Sequence, residues 1–436
     1  MWDASAKRRK QQDQDGEKEA YQQQEGSKKQ KLAVCKDSAC LVEERIPDEV
    51  LCHILGMLPE SMVAIAARTC RRWFACTLPS LRLKLSVRVM CSRLELLQWA
   101  VRNGYTMDKA TCYSSAAQGQ FEVLKWALEN GCPWDKFAFW WAAHRGYLDM
   151  VKWLFANHYT EKKDIEVHST HLEVLDWAHE HGFLLSPASF YSAAEGGLME
   201  VMLWGLDHGH VWDPETSAHA ASGGQLEMLK WARKKGYPWD EESCWAAATC
   251  GHLEVLKWLR ENGCPWDKNT CEGAAESGHL GVLKWARENG CPWDLYTGNS
   301  AAAMGHLEVL KWAHEHGCPW NERTCAVAAS HGHLGLLQWA RENGCPWDEQ
   351  TCSLTARSGR LKVLQWAREN GCPWDESTCA QAAATGQLVV LQWARENGCP
   401  WDERTCAAAA KNGHLKVLEW AREHGCPVPD DLSLST

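Results

Sequence analysis

A unit of 27 residues recurs along most of this chain, and it constrains the fold more than any other feature. The unit GHLEVLKWLRENGCPWD begins at Gly251, and eleven of the 12 intervals between the 13 related starts are 27 residues long. The remaining interval, from Gly146 to Thr170, is 24 residues. Of the 27 Trp residues, 22 occupy two fixed positions of this unit. Such regular copying predicts a linear array in which each unit contacts its neighbours.

Each unit is predicted to form two short helices. Apolar residues are dense in residues 253–261, which predicts a helix packed between neighbours. Gly263 followed by Pro265 is a helix stop signal, and Asp267 is positioned to cap a second, Ala-rich helix that ends at Gly278. Alternating broad Trp helices and thin Ala-rich helices predict a curved stack.

One unit alone is too small to be stable. Burial of one Trp contributes roughly 4–6 kcal/mol as an upper estimate, whereas ordering 27 residues costs about 40 kcal/mol. Contacts between units therefore have to supply the stability.

The pattern A-A-x-x-G-H-L-E-V-L-K-x-x-x-E-N-G resembles the ankyrin repeat, with residues 251–263 matching that family's second helix. An ankyrin unit has 33 residues, and the missing residues fall where the family carries a β-hairpin. T-C-x-x-A-A also replaces the family's T-P-L-H motif. The resemblance implies an all-α solenoid of helix pairs at right angles with shortened hairpins, and it gives no support to binding through long hairpin tips.

Residues 45–85 differ from the array. Pro47, Asp48 and Glu49 form a helix start, and the stretch closely resembles an F-box, roughly L-P-x-E-[VL]-L-x-x-I-L-x-x-L-P followed by V-C-[RK]-x-W. The matched positions are Ile46, Pro47, Glu49, Val50, Leu51, Ile54, Leu55, Leu58, Pro59, Cys70 and Trp73. Ile46 and Thr69 are mild departures from the family pattern.

The F-box resemblance implies a three-helix module that docks onto a Skp-type adaptor of a cullin–RING ubiquitin ligase, while the rest of the chain captures a substrate. A segment of about 40 residues is too small for a comfortable core of its own, which agrees with docking. The alternative is a helical cap that shields the first repeat. The two interpretations are compatible.

The tails carry little apolar sequence. Residues 1–40 are rich in Gln, Lys and Glu, which predicts disorder, as does the composition of residues 429–436. Two basic clusters could form a two-part nuclear localisation signal: Lys7, Arg8, Arg9 and Lys10, then Lys28, Lys29 and Lys31. The alternative is a merely soluble tail, which the acidic residues between the clusters favour. No apolar run typical of a signal peptide or a membrane span is present, so we expect an intracellular protein, cytoplasmic or nuclear or both.

The 22 cysteines invite a metal hypothesis, which the spacing disfavours. There is no C-x-x-C pair, and same-position residues in adjacent units should lie ~10 Å apart, too far for shared zinc ligation or a disulfide. Contacts between different positions, such as Cys271 with the CPWD cysteine of a neighbouring unit, remain open. Small buried thiols are the expectation, and a thiol-rich metal buffer would require stoichiometric zinc in the purified protein.

No motif for catalysis stands out from the repeat. A net charge of −10 argues against a role in nucleic-acid binding. We therefore expect a non-enzymatic adaptor, without cofactor, metal or membrane contact, that acts as a monomer. The expected divisions are a tail at 1–40, the F-box-like module at 41–88, the array at 89–428 and a tail at 429–436.

Partner choice is expected on the concave Ala-rich helices, where the units differ. Segments such as TCEGAAES, TCAVAASH and TCAQAAAT give a shallow surface of little chemical character. Residues 155–196 depart most from the repeat, which predicts a kink or a specialised contact region there. The leading function is a substrate receptor of a cullin–RING ligase, and the alternative is an interaction scaffold without a ligase role.

Overall fold

The computed structural model describes residues 87–102, 104–157 and 166–429. The F-box-like segment, both basic clusters, residues 1–40 and residues 430–436 lie outside this part of the chain. The described residues divide into two compact units, one that ends at Leu184 and one that begins at Leu185.

The described part of the first unit consists almost wholly of nine-residue helices. Its elements are α1 (Val87–Met90), α2 (Leu94–Arg102), α3 (Lys109–Ala117), α4 (Phe121–Glu129), α5 (Lys136–His144), α6 (Leu148–Ala156), β1 (Glu166–Val167) and α7 (Leu172–Glu180). The strand β1 pairs with a second short strand, β2 (Leu184–Leu185). This strand pair falls within the irregular segment that the 24-residue spacing marks in the sequence. There β1 contacts α5, at the place where the repeat would supply an Ala-rich helix.

The second unit is a regular alternation of Ala-rich helices and Trp helices. The Ala-rich helices are α8 (Pro187–Glu195), α10 (Pro214–Ser222), α12 (Glu241–Thr249), α14 (Lys268–Glu276), α16 (Leu295–Met304), α18 (Glu322–His331), α20 (Glu349–Arg357), α22 (Glu376–Ala384) and α24 (Glu403–Lys411). The Trp helices are α9 (Met199–Asp207), α11 (Leu226–Lys235), α13 (Leu253–Glu261), α15 (Leu280–Glu288), α17 (Leu307–Glu315), α19 (Leu334–Glu342), α21 (Leu361–Glu369), α23 (Leu388–Glu396) and α25 (Leu415–Glu423).

The predicted helix signals are confirmed in the unit used to define the repeat. Gly263 follows α13 with φ +83°, a left-handed conformation that favours glycine. The Asp267 side chain then accepts a hydrogen bond from the Asn269 backbone N–H at 3.0 Å and caps α14. On the exposed side of α13, Lys257 Nζ lies 2.7 Å from Glu254 Oε1.

Two kinds of contact hold successive helix pairs together. Neighbouring Ala-rich helices contact each other most extensively, because small residues such as Ala274 and Ala275 on α14 are fully buried and allow close approach. Trp residues make the second kind: the Trp266 and Trp285 rings meet edge to face with centroids 5.9 Å apart. Arg260 stacks over Trp266 at 4.1 Å. These contacts between units supply the stability that a single unit lacks.

Candidate interaction surface

The Ala-rich helices of the second unit share one burial pattern. On α10, Thr216, Ser217, Ala220 and Ala221 are buried in the array. The positions between them stay accessible, and these are the positions at which the helices differ from one another. They therefore form the candidate interaction surface.

The accessible positions of α8 and α10 carry a polar aromatic cluster. The Tyr191 hydroxyl donates a hydrogen bond to Asp213 Oδ2 at 2.9 Å. The Tyr191 ring stacks on His219 with centroids 5.0 Å apart, and His219 Nδ1 lies 3.7 Å from Glu195 Oε2. Partial burial and the Asp213 carboxylate raise the pKa of Tyr191 to about 12, so the hydroxyl remains a donor at neutral pH.

A cavity of about 440 Å³ opens beside this cluster, between α10 and α12. Its lining consists of acidic, aromatic and small residues: Glu215, Ala218, His219, Ser222, Asp240, Glu242, Trp245 and Ala246. Trp245 is 37% exposed, so part of its indole is accessible from the cavity. Asp240 caps α12 by accepting a hydrogen bond from the Glu242 N–H at 3.2 Å. This cap fixes the start of α12, the helix that carries Trp245.

The chemical character of the surface changes further along the second unit. Arg323 on α18, Arg357 on α20 and Lys411 on α24 are exposed at variable positions of their helices. The expectation of a surface with little character, made from the later units, therefore fails for α8, α10 and α12. One signal could have revealed this: Trp245 lies outside both Trp positions of the repeat.

Cysteines at different positions of neighbouring units contact each other in pairs. The spacing alone left open whether such contacts form. Cys112 Sγ and Cys132 Sγ lie 3.0 Å apart. Equivalent thiol contacts, each between residues 20 apart, join Cys244–Cys264, Cys271–Cys291, Cys325–Cys345, Cys352–Cys372, Cys379–Cys399 and Cys406–Cys426. The contact with Cys291 and burial both raise the pKa of Cys271.

The paired cysteines are free and buried in the core, as expected of small packing thiols. Burial likewise raises the pKa of Cys318 to about 11. Among residues 87–429, as far as the structure describes them, no group of three or more His, Cys, Asp or Glu side chains is placed to hold a metal ion.

The irregular segment replaces such a thiol pair with aromatic packing. Phe183 stands where the repeat has its CPW cysteine, and its ring contacts Phe139 at 5.6 Å and Trp177 at 5.4 Å. His144 Nδ1 and His168 Nδ1 are 3.0 Å apart, and both rings stack with Trp140. A specialised contact role for residues 155–196 stays a prediction.

The fold and the surface define a repeat array of helix pairs with variable side chains at its accessible positions, and a further segment precedes this array in the sequence. That segment matches the F-box-like family over residues 44–87. The F-box prediction for this part of the chain is thereby confirmed at the level of the family. Its eleven docking positions lie outside the described residues.

Among solved structures, the array is similar to the "Crystal structure of human ASB11 ankyrin repeat domain", at 18% identity and a TM-score of 0.32. The match covers 36% of this chain and 84% of that chain. No curated protein matches the sequence. Within the described residues, no helix has both the length and the apolarity needed to cross a bilayer. An F-box-like segment therefore precedes an array of helix pairs in this chain.

Proposed function

We propose that this protein is the substrate-recognition subunit of a cullin–RING ubiquitin ligase. One observation carries the proposal: the F-box-like match ends at residue 87, where α1 begins, so an adaptor-docking motif leads directly into the repeat array. In this arrangement residues 41–88 bind a Skp-type adaptor. Residues 89–428 hold a protein substrate on the Ala-rich helices, and the chain works as a monomer without a cofactor or a catalytic residue of its own.

Apolar docking positions give the proposal its physical basis. Val50, Leu51, Leu55 and Leu58 recur at helical spacing in a segment too short to bury them all internally. A partner that covers these side chains removes apolar surface from water at roughly 25 cal/mol per Å². A charge placed among them would have to be desolvated on docking, which opposes binding.

The test compares capture of a purified Skp-type adaptor by the full chain and by a Leu51→Asp, Leu55→Asp double variant. A matched control places the same two charges on the array at Val389 and Leu415, which are 64% and 66% exposed. We expect capture by the wild type and by the control, and loss of capture in the F-box-like variant.

Capture should also support ubiquitin transfer when cullin, RING protein, E1 and E2 are added. A well-folded chain that captures no adaptor would contradict the ligase role. It would leave residues 41–88 as a cap and the protein as an interaction scaffold.

The two basic clusters carry a separate proposal for nuclear import. Replacing Lys7, Arg8, Arg9 and Lys10 with Gln in the full chain should shift a fluorescent fusion from nucleus to cytoplasm. An unchanged distribution would show that the tail is no import signal.

A further inference from the structure

The cavity between α10 and α12 is built by equivalent positions of two consecutive Ala-rich helices. Glu215 and Glu242 each occupy the second residue of their helix and face the same opening. Trp245, three residues further along α12, forms an aromatic wall. No other Ala-rich helix of the second unit has an acidic residue at this second position.

The electrostatic environment of the cavity is negative. Partial burial, followed by the nearby carboxylates of Asp240, Asp267 and Glu241, raises the pKa of Glu242. Glu242 has no salt bridge among the described residues, and Lys268 on the next helix is engaged with Asp294 at 2.8 Å. A positive charge brought to the opening would therefore meet carboxylates that no cation of this surface neutralises.

The residues that line the cavity disfavour two other kinds of occupant. An apolar side chain would strip water from the carboxylates and leave them unpaired. A metal ion would need converging ligands, and no such group occurs within the described residues. A long cationic side chain fits both features, because its charge can pair with carboxylates while its body lies against the indole ring.

The chain itself stacks arginine on tryptophan several times within the array. Arg260 stacks over Trp266 at 4.1 Å, and Arg287 stacks over Trp293 at 4.5 Å. In each pair both residues belong to the array. Trp245 differs in that its ring lines the cavity, and no arginine of the described residues stacks on it.

We propose that the cavity between α10 and α12 binds an arginine or lysine side chain of a partner polypeptide, held by Glu215 and Glu242 against Trp245. The inference rests on the proposed function only in that the array captures a protein, and it names the residue type that the substrate presents. An arginine places a planar guanidinium on the carboxylates and the indole, so we expect arginine to bind more tightly than lysine.

The experiment uses a synthetic library of seven-residue peptides whose central residue is Arg, Lys, citrulline or Gln. Both termini are blocked and the flanking positions are randomised without Arg, Lys or His, so that a central Arg or Lys is the sole cation of its peptide. Citrulline has the shape of arginine without its charge. The full chain is incubated with the library in the absence of any adaptor, and the best peptides are then measured individually by fluorescence anisotropy.

Three variants separate the cavity from general effects of charge and folding. Glu215→Gln with Glu242→Gln removes the carboxylates, and Trp245→Ala removes the wall. Glu349→Gln with Glu403→Gln is the control, because it removes two exposed acids from the first turns of α20 and α24. Thermal unfolding of each variant checks that the array is intact.

We expect peptides with central Arg or Lys to be enriched over citrulline and Gln. Their affinity should fall about tenfold in each cavity variant and stay unchanged in the control. The proposal is overturned if no peptide is retained, if citrulline binds as well as arginine, or if the cavity variants bind like the wild type. Since no adaptor is present, failure of adaptor docking would refute the ligase role and leave this result standing.

Discussion

Replacement of Gly305 by Ala tests the contact of His333 with the end of α16, which joins neighbouring units. Gly305 ends α16 with φ +80°, and a Cβ atom there would lie 2.6 Å from the His333 ring. His333 Nε2 hydrogen-bonds to the Ala303 carbonyl at 2.9 Å and so joins the start of α19 to the end of α16. Alanine at this position has to adopt a left-handed backbone and displace the ring at the same time.

The size of the effect follows from these two terms. A left-handed backbone costs a non-glycine residue about 1–2 kcal/mol. Loss of the His333 hydrogen bond costs about 0.5–1.5 kcal/mol more. We therefore expect Gly305→Ala to lower the free energy of unfolding by about 2–3 kcal/mol.

Gly317→Ala is the matched control. Gly317 follows α17 with φ +83°, and nothing lies within 4 Å of a Cβ atom there. This variant carries the backbone term alone, and the entropy that alanine removes from the unfolded chain is the same in both variants. The difference between the two variants is therefore the contribution of the His333 contact.

The assay is urea unfolding followed by circular dichroism, with hydrogen exchange of peptides that cover α16 and α17. A His333→Ala background completes a double-mutant cycle, in which Gly305→Ala should cost no more than Gly317→Ala. Equal losses for Gly305→Ala and Gly317→Ala in the wild-type background would refute the locking role of His333.

Three further predictions concern packing, thiol reactivity and pH. Trp285→Ala should destabilise the array by about 3–5 kcal/mol in urea unfolding, and Trp285→Phe by less, because the edge-to-face contact with Trp266 is partly kept; equal losses would contradict the ring contact. Native-state alkylation mapped by mass spectrometry should modify the exposed Cys250 before Cys318, whose buried thiol has a pKa of about 11; the reverse order would be inconsistent with the described burial. Burial lowers the pKa of His210 in the folded protein below its value of about 6.5 in the unfolded chain. Its contribution to stability is therefore present above the unfolded pKa and is lost as the pH falls through the folded pKa. Thermal midpoints of a His210→Gln variant should therefore fall less on acidification than those of the wild type, and parallel curves would exclude the effect.

The local architecture of the regular units could be predicted from their amino-acid pattern. Gly263 and Asp267 mark a helix end and a helix start, and both signals depend only on the backbone conformation and caps within a few residues. The 27-residue spacing likewise determined that the helices form an array, because one unit cannot offset its own ordering entropy. The F-box-like segment was recognisable for the same reason, since its pattern is local.

Contacts between different positions of neighbouring units could not be predicted from the pattern. Cys271 meets Cys291, and Glu215 shares a cavity with Trp245, because consecutive helix pairs stack with a particular offset and rotation. That geometry comes from the packing of many side chains at once, and no single residue or spacing encodes it. Periodicity therefore predicts which side chains face a neighbour, whereas packing decides which atoms they touch.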